Sequence, residues 1–71
     1  MVTADMLNQP YYELKTLISK KGYTQEEIAD MIGIPRSTFS LKINRKHGRD
    51  FKLSEGIQIA SILNANISDF F

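Results

Sequence analysis

The chain has 71 residues, a formal net charge of +1 and no cysteine. That length gives one small domain with a thin stability margin, and without thiols it has neither disulfides nor thiolate metal sites to reinforce it. No apolar run is long enough to span a membrane and the first residues lack a basic stretch followed by an apolar core, so a cytoplasmic protein is expected. Stability must then come from close helix packing or from a second copy of the chain.

Residues 1–9 show no strong period and are expected to be mobile. With Asp5 and no lysine or arginine, that segment is poorly suited to phosphate. Residues 10–71 form the expected folded unit. Pro10 suits the opening of a first helix. Tyr11, Leu14, Leu17 and Ile18 then make an apolar stripe at helical spacing. Lys20 and Lys21 complement the dipole at its end, and Gly22 stops it. Tyr12 and Tyr23 are expected to pack at the core or its rim.

The second element is the best specified. Thr24 is an N-cap, and Glu27 three residues later completes a capping box. Gln25, Glu26 and Glu27 place polar and acidic groups in the first turn. Ile28, Ala29 and Ile32 share one face. Gly33 ends the helix in a conformation other residues resist. Pro35 cannot continue it but suits the start of the next. In that next helix Phe39 and Ile43, spaced i, i+4, give the inward face, while Arg36, Ser37, Ser40 and Leu41 lie away from it. Ala29 and Gly33 are small where two crossing helices need room. This is the steric skeleton of a helix-turn-helix, and a plain helical hairpin is the alternative reading of the same residues.

After Asn44 comes a polar basic loop, Arg45 to Asp50, with Gly48 as its flexible point. His47 has no second histidine or cysteine to share a metal with. Phe51 and Leu53 are expected to return the chain to the core. A fourth helix is expected from Leu53 to Leu63, with Ile59, Ala60 and Leu63 inward and Gly56 allowing close approach. Asn64, Ala65 and Asn66 break it, and Ile67 to Phe71 suggests a short final helix. No stretch alternates long enough for a strand, so the fold class is all-α.

Charge is unevenly spread. Six basic residues (Arg36, Lys42, Arg45, Lys46, Arg49, Lys52) face one acid, Asp50, so the segment from Arg36 to Lys52 carries +5 while the remainder carries −4. A concentrated basic face on a near-neutral domain is the pattern of a directional polyanion site. An enzyme finds little support: there is one histidine, no pair of carboxylates at catalytic spacing and no phosphate-cradling glycine loop, and Ser37 and Ser40 have no base in evidence. No cofactor is implied.

The set Tyr23-Thr24-Gln25-Glu26-Glu27-Ile28-Ala29, Ile32-Gly33-Ile34, Arg36-Ser37-Thr38-Phe39-Ser40, Ile59-Ala60-Ser61-Ile62-Leu63 and Asp69-Phe70-Phe71 resembles the Cro/CI-type (lambda-repressor-like, XRE-type) helix-turn-helix proteins, and among them the small prophage repressor-like domains. The resemblance runs from about Tyr11 to the last residue. It implies a bundle of about five short helices, with the third in the major groove of double-stranded DNA and the second across the backbone above it. Carried over by position, Pro35, Arg36, Ser37, Ser40 and Leu41 face base edges. Gln25 and Thr38 meet phosphate, and Lys42, Arg45, Lys46 and Arg49 neutralise phosphates. The function implied is a sequence-specific transcriptional regulator, a phage or mobile-element repressor.

The chain departs from the family pattern at three points. Where many members pair a helix-one arginine with a glutamate at the end of the recognition helix, Ile18 and Ile43 stand, an apolar pair that avoids ion-pair desolvation. Lys42 replaces a common apolar residue, with its stem expected to pack and its charge expected near phosphate. Arg45 replaces a frequent glycine. A homodimer through Ile57, Ile67 and Phe71 is the expected way to read two half-sites, with Phe70 closing the core. The alternative function is a protein-interaction module of antitoxin or anti-repressor type on the same fold.

Overall fold

Free backbone groups at helix ends need partners, and the chain supplies them locally. Thr24 Oγ1 accepts from the Glu27 N–H at 3.1 Å, while the Thr24 N–H donates to Glu27 Oε1 at 2.8 Å, closing the expected capping box. Gly33 turns left-handed at φ 76°. There the Ile34 N–H reaches Ala29 O at 3.1 Å and the Gly33 N–H reaches Asp30 O at 3.3 Å, a Schellman ending that stops the helix within one residue. Gly22 and Asn64, both at positive φ, close their helices by the same pair of bonds.

The computed structural model describes residues 9–71. Among these residues are four α-helices: α1 (Tyr12–Lys20), α2 (Gln25–Ile32), α3 (Arg36–Ile43) and α4 (Leu53–Leu63). Two single 3-10 turns, Lys46–Gly48 and Ile67–Asp69, lie between α3 and α4 and after α4. No strand occurs among the described residues, and no helix there is long and apolar enough to cross a membrane. The expected mobile segment lies, apart from Gln9, outside the described residues.

One core joins all four helices. Leu14 and Ile18 from α1, Ile28 and Ala29 from α2, Phe39 and Ile43 from α3, and Ile59, Ala60 and Leu63 from α4 are buried together with Phe51 and Phe70. Each fully buried aliphatic or aromatic side chain contributes about 1.5–3 kcal/mol, which offsets the entropy of ordering so short a chain. Phe51 meets the Phe39 ring edge-on at 5.3 Å between centroids, so the loop after α3 is pinned from inside. Ile18 and Ile43 are both buried, which suits an apolar pair in place of an ion pair. The Tyr11 N–H donates to Ile43 O at 2.9 Å and ties the start of α1 to the end of α3.

Three expectations are corrected. Leu53 does not enter the core: it opens α4 on the outer side and is 61% exposed. Tyr12 is equally exposed, because one helical step past Tyr11 carries it off the Leu14–Ile18 stripe. The final helix is only a 3-10 turn, since Phe70 leaves helical geometry at φ −141° to bury its ring.

Candidate nucleic-acid interface

Only Phe39 and Ile43 of α3 are buried. The face of that helix opposite them is therefore turned outward. Pro35, Arg36, Ser37 and Ser40 are exposed, and Thr38 and Leu41 are half-buried at the margin. The small side chains of Ser37 and Ser40 leave the helix surface low enough for close approach to a groove. Gln25 is half-buried at the first position of α2.

Arg36 does not project freely. Its Nη2 donates to Asp30 Oδ2 at 2.8 Å, and its Nε donates to Asp30 Oδ1 at 3.4 Å. The hydrogen bond from Arg36 holds the Asp30 carboxyl below the usual carboxylate range, and the same contact raises the guanidinium. The pair bridges α2 and α3 across the turn.

The basic side chains fall into two groups. Lys46, Arg49 and Lys52 are exposed on the loop that follows α3. Lys42 and Arg45 are engaged within the domain. Lys42 Nζ reaches both oxygens of Glu55 on α4, at 2.9 and 2.8 Å, with each side chain 12% exposed. Its charge thus points inward, against the expectation that it lies near phosphate. A buried ammonium needs a counter-charge, and Glu55 is the carboxylate that supplies it. Burial pushes the Glu55 carboxyl up, but the bonds from Lys42 and from the Lys52 N–H, with the charges of both lysines, leave it below its ordinary value.

Arg45 takes the left-handed conformation, φ 53°, at the position where the resemblance would place a glycine. Its guanidinium lies 3.3 Å from Asp50 Oδ2 and 5.2 Å from the centre of the Tyr11 ring. It is first a brace across the loop, a departure from the phosphate role expected for it. The Tyr11 hydroxyl donates to Asp50 Oδ1. Burial, then that bond and the Asp50 charge, push the Tyr11 hydroxyl up to about 12 against the opposing pull of Arg45. Tyr11 also stacks on Phe71 at 6.2 Å and tilts against Phe51 at 5.7 Å.

Sequence reasoning missed Asp30, Asp50 and Glu55. For Glu55 a signal was present: a lysine where an apolar residue is common calls for a carboxylate partner. Asp30 and Asp50 gave none, because their roles depend on how the turn and the loop fold back. Among the described residues no cluster of histidine, cysteine or acidic side chains is arranged to hold a metal.

A buried α3 spine, an exposed serine and arginine face and a Schellman turn from α2 give this domain a helix-turn-helix fold that resembles the Cro/CI-type proteins. It is similar to the restriction-modification controller protein C.AhdI from Aeromonas hydrophila, whose crystal structure superposes with a TM-score of 0.70 at 25% sequence identity, covering 83% of this chain and 86% of that one. No family model and no curated protein sequence matches the chain.

Proposed function

We propose that the chain is a sequence-specific DNA-binding transcriptional regulator of the controller type, reading the major groove with the outer face of α3. The observation that carries the reading is that Arg36, Ser37 and Ser40 are exposed together while Phe39 and Ile43 of the same helix are buried. Arg36 is the principal base reader, since a guanidinium can bond guanine O6 and N7 together. Ser37 and Ser40 add short hydrogen bonds, and Pro35 and Leu41 add apolar contact. Gln25 and Thr38 meet phosphate from the helix-turn-helix itself. Lys46 and Arg49 supply the salt-dependent part of the affinity. Such a protein acts in the cytoplasm, beside the DNA it reads. A controller role is favoured over a phage repressor by the likeness to C.AhdI.

A homodimer would place two copies of α3 on successive half-sites. Of Ile57, Ile67 and Phe71, Ile57 is the best placed for a partner. It is 54% exposed beside Met31, which is 55% exposed, and both line a shallow groove with Ile32 and Ile62. Ile67 packs against its own core and Phe71 against Tyr11, so neither is wholly free.

The test is selection from a randomised duplex pool, followed by anisotropy titration at two salt concentrations. One enriched sequence with a steep salt slope is expected. Equal affinity for every duplex would end the reading.

A further inference from the structure

Asp30 has no place in the reading above, yet it holds the side chain on which that reading turns. The Arg36 guanidinium has two edges that can form paired hydrogen bonds. The side edge carries the Nε and Nη2 hydrogens, and the end edge carries hydrogens of Nη1 and Nη2. Asp30 takes the side edge, through the 2.8 and 3.4 Å contacts. The end edge, the one a guanine would pair with through O6 and N7, is left without a partner among the described residues. Nor does stability explain the pair. Both side chains are more than half exposed, 63% for Arg36 and 58% for Asp30, and exposed ion pairs add little to folding.

A free arginine side chain samples many rotamers and must be ordered before it can read a base. The carboxylate does that ordering in advance, from a neighbouring helix and on the side away from the reading edge. It also places a negative charge near the helix that meets the duplex, which disfavours close approach to phosphate on every sequence alike. Both effects widen the gap between the right sequence and all others. We propose that Asp30 is a specificity-determining residue that positions Arg36 for a guanine without itself touching the base.

This rests on the DNA-reading function proposed above, and the test separates the two. Wild type, Asp30→Asn, Asp30→Ala and Arg36→Ala are titrated by anisotropy. The probes are the duplex enriched by the wild type, the same duplex with each base pair changed in turn, and the randomised pool. Thermal unfolding checks that each variant is folded. Arg36→Ala should erase the preference at one G·C pair. Asp30→Ala should cut the preference at that same pair severalfold, leave preferences elsewhere in place and tighten binding to the pool. Asp30→Asn, which keeps one acceptor, should fall between. If Arg36→Ala erases the preference and Asp30→Ala retains it or sharpens it, the positioning role is wrong while the DNA-reading function stands. If Arg36→Ala changes no preference, or the wild type has none, Arg36 is not a base reader and the inference about Asp30 falls with it.

Discussion

Lys42 of α3 and Glu55 of α4 form a two-pronged ion pair almost closed to solvent. It sets α3 against the helix behind it. Removing one partner leaves the other as an uncompensated buried charge, so Lys42→Met should lower the unfolding free energy by about 3 kcal/mol. The double variant Lys42→Met with Glu55→Leu should recover much of that loss. Chemical denaturation of the two singles and the double gives the coupling directly.

The same pair makes stability depend on pH. Glu55 is more acidic in the folded protein than in the unfolded chain. Its contribution is complete above its ordinary value, near 4.5, and is lost as pH falls through the lowered folded value. Melting temperature should therefore hold steady from pH 7 to about 5 and drop below that. Glu55→Gln should lower the melting temperature at pH 7 and flatten the acid limb.

Arg36→Ala should reduce affinity for the selected duplex by about ten- to a hundredfold, the range for loss of one paired guanine contact. Melting temperature should barely move. An equal loss on the randomised pool would show that Arg36 serves phosphate instead.

Lys46→Ala and Arg49→Ala should weaken binding to all duplexes alike, each reducing the slope of log affinity against log salt by about 1. Arg45 is different, because its guanidinium serves Asp50 and Tyr11 and its backbone is left-handed. Arg45→Ala should lose stability, and Arg45→Gly should be more stable than Arg45→Ala by about 1 kcal/mol, since both lose the brace but only alanine retains the backbone cost. Equal stability of the two would mean that the positive φ is not maintained in solution.

Ile57→Asp should leave the melting temperature of the monomer nearly unchanged and weaken self-association. Sedimentation across a concentration series checks this, with wild type as the reference.

Much of the fold was legible because its signals are local. Thr24 with Glu27, Gly33 before Pro35, and the Phe39–Ile43 spacing each fix backbone within a few residues of themselves, and all three appear as read. Errors fell where one helical step or one loop decides direction, as for Tyr12 and Leu53. The charged contacts were illegible for another reason. Lys42 with Glu55 joins residues 13 apart, and the Tyr11 hydroxyl meets Asp50 across 39. No period in a sequence announces which acid will finish beside which base. The basic segment was correctly seen as concentrated, but counting charge did not reveal that two of its members are spent inside the domain.

The packing of α3 rests on Phe39 and Ile43, while its outward positions carry almost none of the core. If α3 reads DNA as proposed, the address it recognises is thus separable from the scaffold that displays it. Exchanging side chains at 36, 37 and 40, with residue 30 matched to the new one at 36, is a route to redirecting the domain to other operators while leaving its architecture untouched.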